Sequence, residues 1–139
     1  QCSETFGASS VVASIDVKKN IFGNHQVFTD NGSNNTKIDP LTYAKKVEEM
    51  GAGEIFLCSI DKEGCRKGFD INLMELVSNE VKIPIIASGG ARDLKDFSDL
   101  FRQTNVSAAS GGELFIFYGV HRAVLINYPT YDLVKEIIS

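Results

Sequence analysis

Four apolar runs, each ending on small or polar residues, constrain this chain more than any other feature: VVASI (11–15), EIFLCSI (54–60), IPIIASGG (83–90) and VSAASGG (106–112). None alternates cleanly between apolar and polar residues, so each predicts a strand buried on both faces, as in parallel sheets. Helix signals lie between the runs. Asp39 and Pro40 read as N-cap and first helical residue ahead of LTYAKKVEEM, with Gly51 as the stop. Asp70 precedes INLMELVSN, whose Leu73, Leu76 and Val77 fall on one face. Asp93 stands at the start of LKDFSDLFRQ, with Leu94, Phe97 and Leu100 placed likewise, and Thr130 can cap YDLVKEIIS. The order is a strand followed by a helix, four times over, which predicts an α/β fold of four parallel β-α units.

Two segments break the rhythm. Residues 20–39 are rich in Gly, Asn and Asp and predict a mobile loop or a small hairpin after the first strand. Residues 114–129, LFIFYGVHRAVLINYP, are too apolar for a free loop and are expected to pack on something. At 139 residues the chain fits one domain with a real core. With 14 Lys+Arg against 18 Asp+Glu and no basic cluster near an aromatic platform, a nucleic-acid partner is not expected. The longest apolar candidate, VKIPIIASGG, is far short of the ~20 residues that span a bilayer. The start, QCSETFGASS, has no basic stretch followed by an apolar one, so no secretory signal is expected. It also has no methionine, so the chain is expected to begin partway through a longer, cytoplasmic protein. Cys2, Cys58 and Cys65 lack metal-ligand spacing; the expectation is reduced thiols, with no metal and no cofactor.

The chemistry is expected where the strands end. The carboxyl ends of parallel strands share one face, and here they carry Asp16, SIDKEG (59–64) with Glu63 and Gly64, Ser88-Gly89-Gly90, and Ser110-Gly111-Gly112. Glycine lets bare backbone N–H groups approach an anion, and a following helix N-terminus adds a favourable dipole, so phosphate is the natural guess. The competing reading is that these glycines only make tight turns. Asp16 is a partly desolvated carboxylate suited to general acid/base work, or else a helix cap or a salt-bridge partner of Lys18 or Lys19. His25 and His121 lack triad partners and read as surface or packing residues. Glu54 begins its strand and reads by default as a surface charge on the opposite face.

The motifs VVASIDVKK, GAGEIFLCSID, KGFD, IPIIASGGA and AASGGELFIF occur in the order and spacing of the C-terminal half of HisF, the cyclase subunit of imidazole glycerol phosphate synthase. The resemblance runs from about Phe6 to Phe117. That family is a (β/α)8 TIM barrel of ~250 residues, so the resemblance implies half a barrel, strands five to eight, with the N-terminal half absent. It implies ammonia supplied by a glutamine amidotransferase partner and a substrate with a phosphate at each end. Imidazole ring closure would then yield imidazole glycerol phosphate and an aminoimidazole carboxamide ribotide. Asp16 would be one of two acid/base aspartates; Glu63, Gly64, Ser88, Gly89, Gly90, Gly111 and Gly112 would hold substrate and phosphate; Glu54 would belong to the ammonia gate. Four positions differ from the family pattern, one of them Cys58, which stands where the histidine-pathway enzymes often carry threonine. Glu63 and Cys65 stand for aspartate and threonine, and Glu113 stands for a serine beside the phosphate, where a carboxylate repels a dianion unless it points away. The tail HRAVLINYP (121–129) resembles paralogues that amidate surface-glycan sugars. A half-barrel also exposes two sheet edges, so self-association is expected, and a non-catalytic phosphate-binding module is the further alternative.

Overall fold

A computed structural model describes residues 2–119 and 121–138. Four parallel strands form its centre: β1 (Val12–Lys19), β4 (Glu54–Ser59), β5 (Ile85–Ser88) and β6 (Ala108–Ala109). Between β1 and β4 come β2 (His25–Thr29) and β3 (Asn34–Asn35), which add antiparallel strands to one side and give the sheet order β3-β2-β1-β4-β5-β6. The polar segment after β1 is thus the expected hairpin. It pairs only with Asp16–Lys19 and leaves the outer side of Val12–Ile15 without a strand partner among the described residues.

Helices α1 (Cys2–Phe6), α2 (Pro40–Glu49), α3 (Ile71–Ser78), α4 (Leu94–Gln103), α5 (Gly112–Ile116) and α6 (Tyr131–Ile138) complete the chain, with a short hairpin of β7 (Phe117–Tyr118) and β8 (Ala123–Val124) before α6. The sequence signals for the middle helices act as expected. Asp39 accepts from the N–H of Thr42 with Pro40 in the first turn; Asp70 accepts from Leu73. Asp93 and Asp96 form a reciprocal capping box at α4.

The sheet is covered on one face, which corrects the expectation of strands buried on both. Ile15, Val17, Ile55, Leu57, Ile85 and Ala87 pack against Ala44 and Val47 of α2, Leu73, Met74 and Val77 of α3, and Phe97 and Leu100 of α4. The opposite face carries Val12, Ser14, Asp16 and Lys18 of β1, and there Val12, Ser14 and Lys18 are exposed. The strands read as continuous apolar runs because small residues such as Ala13 and Ser14 occupy alternate positions. Pattern alone cannot separate such a half-covered sheet from a fully covered one.

Two further expectations change. Leu76, expected on one face with Leu73 and Val77, is 42% exposed while Met74 is fully buried. At 3.6 residues per turn the buried face of α3 runs through 73, 74 and 77, which turns 76 outward. The apolar tail packs only in part: Leu114 and Phe115 meet the core, and Phe115 touches Phe97 and Tyr128, but Val124, Leu125 and Ile126 stay exposed.

The contrast along α3 is measurable by urea denaturation. Leu73→Ala removes a fully buried side chain and is expected to cost about 2–5 kcal/mol, whereas Leu76→Ala is expected to cost less than about 1 kcal/mol.

Candidate functional site

Strand register assembles the site. Asp16 of β1 lies opposite Cys58 of β4, and Cys58 lies opposite Ser88 of β5. Facing residues of parallel strands point the same way, so the three side chains form one row on the open face, with strands about 4.8 Å apart. The Asp16 carboxylate makes no hydrogen bond and no ion pair among the described residues, although its backbone is paired in the sheet. The salt-bridge and cap readings therefore fail: Lys19 pairs with Asp70 at 3.6 Å, and Lys18 lies 5.9 Å from the centre of the Phe28 ring. Cys58 is buried in the row. Burial, then the carboxylates of Glu63 and Asp16, push its thiol up to about 11 against a hydrogen bond with Ser88 that lowers it. At neutral pH it is a thiol and no nucleophile; it donates weakly toward Glu63 Oε2 at 3.9 Å. Cys65 is an exposed loop thiol bonded to the Asp61 carbonyl.

Beyond Ser88 the row opens into a small cleft. The loops after β4, β5 and β6 supply its walls: Glu63, Gly64, Ser88, Gly89, Gly90, Gly111 and Gly112 all line it. These residues, expected at separate strand ends, are brought together by the fold. Gly89 and Gly90 have φ of 98° and 101°, which side-chain-bearing residues rarely adopt. A Cβ on Gly89 would collide with the Ser59 carbonyl, and one on Gly90 with the Gly68 carbonyl. The loops are also tied directly, Gly68 N–H donating to the Gly90 carbonyl at 2.9 Å.

At the start of α4 the carboxylates cap the chain: Asp96 accepts from the N–H groups of Arg92 and Asp93, and Asp93 accepts from the Asp96 N–H. Arg92 pairs with Asp96 at 2.8 Å as well. The cleft lining offers an anion glycine backbone, Ser88, Ser110 and Arg66, and sets against them the carboxylates of Glu63 and Glu113. Arg66 was not foreseen. It enters the lining through a left-handed backbone at φ 52°, for which a non-glycine residue offers no sequence signal.

Glu54 starts β4 and is half-buried, with the parity of Cys58 and thus on the open face. Four residues of strand put it about 13 Å from Cys58, at the end away from the cleft. Among the described residues no group of three or more His, Cys, Asp or Glu could hold a metal ion, and no helix is long and apolar enough to cross a membrane.

His25 is no idle surface residue. Its Nε2 lies 2.9 Å from Asp70 Oδ2, joining the β2 hairpin to the N-cap of α3; Asp61 Oδ2 accepts from the Lys19 N–H at 2.6 Å beside it. These bonds hold the hairpin against the loop after β4. The His25 hydrogen bond is the main cause that holds the Asp70 carboxyl near 2, below its usual 3.8, against the opposing effect of burial. His121 is exposed.

Comparison with known proteins gives a consistent answer. A family model described as histidine biosynthesis protein matches residues 1–121. The chain is 51% identical over 127 residues to a Pseudomonas aeruginosa protein that carries the provisional name imidazole glycerol phosphate synthase subunit hisF2, covering 91% of this chain and 51% of the relative. It is 47% identical over 113 residues to imidazole glycerol phosphate synthase subunit HisF of Saccharolobus solfataricus, covering 81% of this chain and 45% of the relative. It is 39% identical over 131 residues to the provisionally named subunit hisF3 of Vibrio vulnificus, covering 94% and 50%. The chain spans about half the length of the curated relatives it matches.

Because the Asp70 carboxyl is depressed in the folded protein, its contribution is whole above about pH 4 and is lost as pH falls toward 2. Asp70→Asn is expected to lower stability by about 1–2 kcal/mol at pH 7. Urea melts taken between pH 7 and pH 2.5 should show the gap between the two proteins closing below about pH 4.

Proposed function

The chain belongs to the histidine biosynthesis protein family, and from that premise we propose that it carries the C-terminal catalytic half of an ammonia-dependent cyclase/lyase. The reaction closes an imidazole ring on a bis-phosphorylated substrate and releases imidazole glycerol phosphate and an aminoimidazole carboxamide ribotide. Asp16 is the acid/base residue. One observation carries this reading: an unpaired carboxylate on the open sheet face stands in the same row as Ser88, which lines a cleft walled by glycine. Two strand spacings separate Asp16 from Ser88, roughly 10 Å. A substrate with one phosphate in the cleft would lay its reacting carbons toward Asp16. There the carboxyl group takes a proton from the attacking nitrogen and returns one to the departing group, which is general acid/base work of the kind that contributes about 10²–10⁴ in rate.

Glu54 fits an entry point for ammonia, because it sits on the same face at the opposite strand end. Ammonia would reach Asp16 from that end without passing through bulk water once further barrel strands cover this face, whose Val12, Ser14 and Lys18 are exposed here. The partner is a glutamine amidotransferase subunit. The open edges of β1 and β6 are to be covered by other barrel strands or by a second copy of the chain. A cytoplasmic location suits this chemistry.

A second reading, amidation of a surface-glycan sugar, is favoured by the tail. The matches to the hisF2 and hisF3 relatives cover 91% and 94% of the chain, against 81% for HisF of Saccharolobus solfataricus. Of the β7–β8 hairpin, β7 lies within the family match and β8 (Ala123–Val124) lies beyond its end at residue 121.

Asp16→Asn in the complete protein is expected to reduce ammonium-dependent turnover of the histidine-pathway substrate by at least about a hundredfold, with phosphate affinity changed by less than about threefold. Full turnover in this variant removes Asp16 from the mechanism. No turnover by the unsubstituted protein, with the fold intact, favours the sugar substrate.

A further inference from the structure

Glu113 introduces a carboxylate into the lining of the glycine cleft, and a residue of the tail answers its charge. With Glu63 it places two carboxylates there against the single guanidinium of Arg66. Taken alone, that lining repels a phosphate dianion. Glu113 is well enclosed, its side chain 14% exposed, and no donor among the described residues meets Oε1 at hydrogen-bond geometry. Arg122 Nη2 nevertheless lies 2.6 Å from that oxygen, so the carboxylate is balanced by charge at an angle unsuited to a hydrogen bond.

Arg122 is held for this task. Its backbone is left-handed at φ 49°, a costly conformation for arginine, and its N–H donates to the Gly119 carbonyl at 3.1 Å. The guanidinium carbon lies 4.9 Å from the centre of the Phe117 ring. The β7–β8 hairpin thus carries the arginine and the aromatic face that steadies it, while α5 carries the glutamate. Arg122 stays 54% exposed, so the guanidinium can meet an anion as well as Glu113.

We propose that Arg122 is a charge-compensating positioning residue of the cleft: its pairing with Glu113 cancels the carboxylate in the lining and allows a phosphate monoester to bind between the glycine loops. This rests on the reading of the cleft as an anion site. The arginine acts through the glutamate, and that dependence is what an experiment can isolate.

The test titrates inorganic phosphate into the 139-residue chain, followed by ³¹P NMR, with circular dichroism verifying the fold of each variant. Arg122→Ala is expected to weaken phosphate binding by roughly tenfold or more, because Glu113 is left uncompensated. The double variant Glu113→Gln with Arg122→Ala is expected to recover affinity to within about threefold of the unsubstituted chain. Glu113→Gln alone, which keeps the arginine, is expected to bind at least as tightly as the unsubstituted chain. Unchanged affinity in Arg122→Ala overturns the proposal and leaves the anion site standing. Equal weakening in the single arginine variant and the double variant also overturns it, since the arginine would then only hold the hairpin in place. Weaker binding by Glu113→Gln alone overturns it without reliance on any arginine variant. If the unsubstituted chain shows no saturable phosphate binding, the anion-site reading fails, and the proposal fails with it.

Discussion

Everything the site does depends on the parallel register of β1, β4 and β5. Parallel pairing fixes which residues stand side by side, and it sets Asp16, Cys58 and Ser88 in one row on one face. A slip of one residue in β1 would turn Asp16 toward the helices and put Ile15 or Val17 on the open face. The apolar contacts of Ile15 and Val17 with the helix layer therefore secure the position of the carboxylate as well as the stability of the sheet. Burial of some 1.5–3 kcal/mol per large side chain is what such a slip would sacrifice.

The same register explains the electrostatic arrangement. Three carboxylates near the strand ends are held by partners. Asp70 is held by His25 and by the first turn of α3, Asp96 by Arg92 and the start of α4, and Glu113 by Arg122. Asp16 alone in the row is free of such partners among the described residues. A carboxylate locked in an ion pair is a poor proton shuttle, because its charged form is already stabilised. The pairing of its neighbours and the freedom of Asp16 together separate structural acids from the candidate catalytic one.

Much of this was legible in the sequence, for identifiable reasons. Strand-helix order, the caps at Asp39, Asp70 and Asp93, and the convergence of the glycine loops follow from local chemistry that tertiary contacts did not override. Coverage of the sheet was not legible, since Ala13 and Ser14 serve an exposed face and a buried one equally well. The wrong assignment of Leu76 came from reading one helical turn without its neighbour Met74. The Arg122–Glu113 pair was beyond reach because Gly119 marks the hairpin turn without indicating which residue the turn presents, and Arg66 and Arg122 adopt left-handed backbone that arginine does not signal.

In the proposed reaction a phosphate in the glycine cleft and a reacting centre at Asp16 share one open sheet face. A crystal structure of the chain with a ribulose bisphosphate-type ligand measures this most directly. The account predicts one phosphate against Ser88, Gly89, Gly90 and Gly111, with the sugar carbons running across the Cys58 row toward the Asp16 carboxylate. Ligand density elsewhere, or an Asp16 side chain turned to the helix layer, would contradict it.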